Sequence, residues 1–150
     1  MTDYKMIIKQ MESLAEISAD DISVMANVSS ILFHTMKDIN WSGFYLVKDE
    51  ALLLGPFQGK VACVKIAKGK GVCGTAWAED KVQLVPDVHK FPGHIACDSE
   101  SRSEIVVPIH RNGEVYGVLD IDSPIASRFC AEDKEGLEEL VGAMERIFHK

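Results

Sequence analysis

Ile105-Val-Val-Pro-Ile-His-Arg-Asn-Gly-Glu-Val-Tyr-Gly-Val-Leu-Asp-Ile-Asp122 decides the fold. Ile105–His110 and Val115–Asp122 read as strands, and Asn112-Gly113 between them is a turn that hairpins favour. Side chains alternate along a strand, so Tyr116, Val118, Asp120 and Asp122 are expected on one face. Two carboxylates within an apolar strand are unusual, because a buried charge is costly without a partner. Glu104 begins the facing strand. A three-residue loop, Arg111-Asn-Gly113, would pair Glu104 with Asp120 and point both the same way. A two-residue loop, Asn112-Gly113, would pair Glu104 with Ile121 and turn it away. Pro108 hints at a bulge able to adjust the register. Three acids on one face would raise at least one carboxyl pKa by like-charge repulsion, giving both an acid and a site for an ammonium group.

Upstream, the apolar period changes at Trp41. Before it, Met6, Ile7, Met11, Leu14 and Ile17 recur near helical spacing over residues 5–17. Ser18-Ala-Asp-Asp21 offers caps for a second helix carrying Ile22, Met25, Val28, Leu32 and Met36, which should stop near Asn40. After it, Trp41–Val47, Ala51–Leu54 and Cys63–Ile66 read as strands. Gly71–Glu79 reads as a short helix opened by glycine, Val82–Val85 as a strand, and Ala131–His149 as a helix with Leu137, Leu140, Val141, Met144 and Ile147 on one side. The pattern predicts one α+β domain over residues 1–150, an antiparallel sheet of about six strands with the N- and C-terminal helices on one face. A ligand pocket belongs on the other face, beneath the short helix and the long 86–102 loop.

A chain of 150 residues can bury a core without disulfide support. Its net charge of -7 excludes nucleic acid or an anionic membrane as a natural partner, since phosphate binding needs a basic face. No secretory signal and no apolar run of roughly 18 residues is visible, which predicts a cytoplasmic protein in which structural disulfides are rare.

Thiols therefore invite a redox reading. Cys63, Cys73 and Cys97 occupy three different settings: an apolar stretch, the run Gly69-Lys-Gly-Val-Cys-Gly74, and a polar loop with His89 and His94 nearby and Arg102 beyond. Their spacing suits no common zinc motif, so no bound metal is expected. Cys73 lies where a helix N-terminus would favour a thiolate, whereas Cys63 reads as the most buried of the three. Cys130, before the last helix, has no comparable setting. Trp41 and Tyr45, four apart on a strand, face one side and could form an aromatic wall beside the acids.

These motifs, from Trp41-Ser-Gly-Phe-Tyr45 through Gly69–Ala76, His94-Ile-Ala-Cys-Asp98 and Ser101–Pro108 to Gly117–Ser123, run the length of the chain. They resemble a stand-alone GAF domain of the free methionine-(R)-sulfoxide reductase family. The resemblance implies Cys97 as the nucleophile on the sulfoxide sulfur and Cys63 as the cysteine that forms a disulfide with it. It implies Cys73 as a third redox cysteine, active in exchange or as an alternative resolving thiol. Glu104 and Asp122 would hydrogen-bond or protonate the sulfoxide oxygen, Asp120 would hold the substrate amine, and Trp41 and Tyr45 would surround the terminal methyl. Thioredoxin would be the external reductant, with no bound cofactor. A homodimer is also implied, in keeping with spare apolar positions on the end helices.

Overall fold

The structure, a computed structural model, describes residues 1–94 and 99–148. Two helices, α1 (Tyr4–Ala15) and α2 (Asp21–Thr35), precede strands β1 (Trp41–Lys48), β2 (Ala51–Gly59) and β3 (Lys65–Ala67). Helix α3 (Gly71–Glu79), strand β4 (Gln83–Val85) and a 3₁₀ turn at Val88–Lys90 follow. The chain ends in β5 (Ser103–Arg111), β6 (Glu114–Ser123) and α4 (Ala131–Phe148). The six strands form one antiparallel sheet in the order β3-β2-β1-β6-β5-β4. This is the expected α+β architecture.

Local chemistry sets the element ends. Asp3 caps α1 by accepting from the Met6 N–H, and Asp20 caps α2 by accepting from that of Ser23. Of the expected row on α1, Ile7 and Met11 are buried, together with Tyr4, whereas Met6 and Leu14 are exposed, as is Ile17 beyond the helix end. Helix α2 stops at Thr35, short of Asn40, as Met36 turns extended. Cys63 lies outside the expected third strand, which begins only at Lys65.

Each face of the sheet has its own core. Helices α1, α2 and α4 cover one face and bury Phe44, Leu46, Ile105, Val107, Ile109, Leu119 and Ile121. Helix α3 covers part of the other, over Trp41, Tyr45, Leu52, Ile66, Val106 and Val118.

The β5–β6 hairpin resolves the register in a third way. Arg111 pairs with Glu114, so the turn is Asn112-Gly113, both at positive φ (55° and 78°), as a type I′ turn requires. One pair later the register slips: His110 faces Val115 while Ile109 faces Gly117, leaving Tyr116 as the extra residue of a bulge. The slip offsets the short loop and pairs Glu104 with Asp122 and Val106 with Asp120. Glu104 therefore returns to the face of both aspartates. Tyr116, expected beside Val118, instead packs against the helical layer, because a bulge breaks strict alternation.

Docking of α1 on α4 depends on Gly136. A Cβ there would fall 2.1 Å from Tyr4 Cδ2, and the Tyr4 hydroxyl is fixed by a 2.6 Å hydrogen bond to Asp133. Alanine would gain about 1 kcal/mol of helix propensity, but overpacking costs about 1–3 kcal/mol. Gly136→Ala is expected to lower the melting temperature by roughly 2–6 °C; an unchanged or higher value would show that the Tyr4 ring yields without cost.

Candidate active site

Glycines set the entrance to α3. In Gly69-Lys-Gly-Val-Cys-Gly74, Gly69 N–H donates to the Gly74 carbonyl at 2.9 Å. A Cβ on Gly74 would lie 2.5 Å from the Ala67 carbonyl oxygen, so only glycine lets the first turn sit this close to the end of β3. That approach aims Cys73 at the sheet. Opposite, β1 presents Trp41 and Tyr45 on the same face, with ring centroids 5.9 Å apart and planes 24° from parallel, and Phe57 also stacks on Trp41. Between the two aromatics Gly43 pairs with Asp120. A side chain there would collide with Phe57 and Trp41, which explains a glycine in a strand interior that the sequence reading passed over.

These residues enclose a cavity. Trp41 and Tyr45 form one wall, Cys73 the base of α3, and Glu104, Asp120 and Asp122 the sheet floor; His94 and Ser101 reach it from the 86–102 connection. The structure thus brings together Trp41, Tyr45, Cys73, Glu104, Asp120 and Asp122. Cys97 lies outside the described residues. Cys63 is half-buried beside the pocket cluster and is disulfide-bonded, while Cys73 and Cys130 carry free thiols. The burial ranking is the reverse of expectation: Cys73 is only 4% exposed, the more buried of the two.

The segment carrying Cys63 is tied down by the aromatic wall. The Tyr45 hydroxyl donates to the Cys63 carbonyl at 2.9 Å, and Trp41 Nε1–H donates to the Lys60 carbonyl at 3.1 Å. Val61 and Val64, flanking Cys63, are exposed. The expected aromatic wall is present, and it has this second, unforeseen role.

Electrostatics dominate the floor. Glu104 and Asp120 are buried, at 7% and 5% exposure, and Asp122 is half-buried. Burial first, then the charges of Asp120 and Asp122, push the Glu104 carboxyl well above its ordinary range. Asp120 is also raised by burial, partly offset by hydrogen bonding with Glu104, Cys73 and Asp122. The cluster therefore binds a proton more tightly than exposed carboxyls do. Oδ1 of Asp120 is buried with no hydrogen-bond partner among the described residues.

The same field acts on the thiol. Burial and the carboxylates push Cys73 well above the usual thiol range, so the expected thiolate at a helix N-terminus is overruled. The helix is short and offers partial charge, whereas the acids offer whole charges nearby. His94 is shifted down by burial and by His89, and so stands at the rim as a neutral imidazole.

The GAF domain family model matches residues 10–146. The chain is 53% identical over 126 residues to the free methionine-R-sulfoxide reductase of Escherichia coli (strain K12), spanning 84% of this chain and 76% of that protein. The structure of fRMsr of Staphylococcus aureus in its reduced form is 51% identical, with a TM-score of 0.94 over 98% of this chain and 96% of that one. The free methionine-R-sulfoxide reductase of Neisseria meningitidis in complex with its substrate is 42% identical, with a TM-score of 0.93 over 97% and 88%.

A carboxyl kept protonated by the fold destabilises it at neutral pH. The folded value for Glu104 is raised, so its stabilising effect is complete below the unfolded value and declines as pH rises towards the folded one. Glu104→Gln is expected to raise the melting temperature at pH 7, where the unfolded chain gains by releasing the proton that the fold holds. The difference should vanish near pH 4. A pH-independent difference in thermal melts would assign the gain to packing.

Proposed function

The chain belongs to the GAF-domain family, in the group that holds the free methionine-(R)-sulfoxide reductases, and we propose that it reduces free L-methionine-(R)-sulfoxide to L-methionine. The observation that carries this reading is the buried floor of Glu104, Asp120 and Asp122 beneath a stacked aromatic wall. A sulfoxide is a weak electrophile until its oxygen is protonated or firmly hydrogen-bonded. A carboxyl whose pKa is raised by burial is suited to that task near neutral pH. Glu104, with Asp122, donates to the oxygen. The lone acceptor of Asp120 takes the substrate ammonium, and Trp41 and Tyr45 pack against the terminal methyl. A residue within a peptide has no ammonium to place there, so the free amino acid is selected.

Chemistry then passes to the thiols. Cys97 attacks the sulfoxide sulfur, the oxygen moves to the cysteine, and methionine leaves with Cys97 as a sulfenic acid. The Cys63 thiol attacks that sulfur, forming a disulfide and releasing water. The disulfide-bonded state of Cys63 supports its place in this step. Cys73 is buried and held as a thiol, which favours Cys63 as the first resolver and a later exchange role for Cys73. Thioredoxin supplies the two electrons that restore both thiols. We place the reaction in the cytoplasm, in a homodimer for which the exposed Met6, Leu14 and Ile17 offer apolar surface. The same floor disfavours a nucleotide-sensing role, because a phosphate would meet three acids.

With racemic methionine sulfoxide, thioredoxin, its reductase and NADPH, consumption should stop once the R epimer is spent. No turnover, or turnover of the S epimer alone, would overturn the reading. Cys97→Ser should abolish even a single turnover, whereas Cys63→Ser should still release about one methionine per chain, as expected when only resolution is lost. Asp120→Asn should raise KM roughly 10–100-fold, the weight of a hydrogen bond to a charged group. An unchanged KM would place the ammonium elsewhere.

A further inference from the structure

Cys73, Glu104 and Asp120 come from α3, β5 and β6, yet their sulfur and carboxylate oxygens all lie within 4.8 Å of one another. Cys73 Sγ is 4.0 Å from Glu104 Oε2. A tetrahedral zinc with ordinary thiolate and carboxylate bonds would hold sulfur and oxygen roughly 3.6 Å apart. Cys73 and Glu104 are a few tenths of an ångström from that spacing, and Asp120 comes within 4.8 Å of both, so side-chain rotation on the order of 1 Å completes the set. All three residues are buried and all three line the cavity, so the donors converge on a space that a solute enters. The unpartnered Oδ1 of Asp120 is a further sign that the site wants a positively charged or hydrogen-donating occupant.

We propose that Cys73, Glu104 and Asp120 form a binding site for a soft divalent cation of the zinc and cadmium class, which competes with the amino-acid substrate for the pocket. The thiolate selects such ions over magnesium and calcium, which prefer oxygen ligands alone. Three protein ligands leave a fourth position open to water. On binding, the ion takes the place of protons on Cys73 and Glu104, and its two positive charges replace like-charge repulsion with attraction. The ligand geometry is independent of the proposed reductase activity; only the competition with substrate rests on it.

Cadmium is a suitable probe. In the oxidised chain Cys63 is already in a disulfide, and the free thiols among the described residues are Cys73 and Cys130. Titration should give one cadmium per chain with a thiolate-to-cadmium charge-transfer band in the ultraviolet. The band should persist in Cys130→Ser and disappear in Cys73→Ser, and Asp120→Asn should weaken binding roughly tenfold or more. Should a variant fold poorly, cadmium-113 NMR of the unsubstituted chain decides, with a shift for one sulfur among oxygen ligands expected. Absence of a band at millimolar cadmium, or a band retained in Cys73→Ser, overturns the cation site and leaves the reductase reading untouched. Displacement of bound cadmium by free methionine supports the competition. If cadmium binds through Cys73 and methionine leaves it in place, the ligand set stands but the competition fails, and with it the assignment of this pocket to methionine.

Discussion

Three carboxyl groups on adjacent strands share one buried wall, and their mutual repulsion organises what surrounds them. Glu104 and Asp122 are cross-strand partners, and Asp120 is two residues along the same face. Buried charges of one sign cannot all persist in a low-dielectric interior, so protons are retained where water would remove them. Burial first, and the acids after it, raise the Cys73 thiol and the Tyr45 hydroxyl, which donates to the Cys63 carbonyl. A pocket with spare protons and one unpartnered acceptor is matched to a ligand bearing an ammonium and a basic oxygen. Its charge cost is met by two apolar cores on either side of the sheet, the larger of them under α1, α2 and α4.

Much of this arrangement was legible in the sequence. The hairpin, the helix boundaries of α3 and α4, and the common face of Trp41 and Tyr45 follow from period and turn chemistry alone. The pairing of Glu104 did not, because register depends on turn length and bulge together. Each of the two simple loop lengths gives the wrong partner, and only a two-residue turn with Tyr116 extruded gives Asp122. Pro108 marked the neighbourhood of that bulge without fixing its place. On α1 the expected Ile7 and Met11 are buried, but Tyr4 completes their stripe, and Met6, Leu14 and Ile17, though apolar, are exposed.

The thiols were ranked less well, since their properties depend on neighbours distant in the chain. A short helix N-terminus argues for a Cys73 thiolate, yet burial beneath the sheet, reinforced by the acids of β5 and β6, holds it as a thiol. Likewise, no local cysteine or histidine spacing suggests a metal site, whereas folding brings a thiol and two carboxyls from three elements within ligand distance. Gly43 was visible as a glycine inside a strand, a recognised sign of close approach, and its partner across the sheet is Asp120.

The raised proton affinity of Glu104 is the feature on which the proposed chemistry rests, and it can be measured directly. Carbon-13 NMR of the side-chain carboxyls, in protein labelled at glutamate and aspartate and assigned with Glu104→Gln, would follow each group between pH 3 and 9. We expect the Glu104 resonance to remain that of a protonated carboxyl at pH 7. Titration of Glu104, Asp120 and Asp122 all at or below the ordinary carboxylate range would contradict it, and with it the proposed acid that activates the sulfoxide.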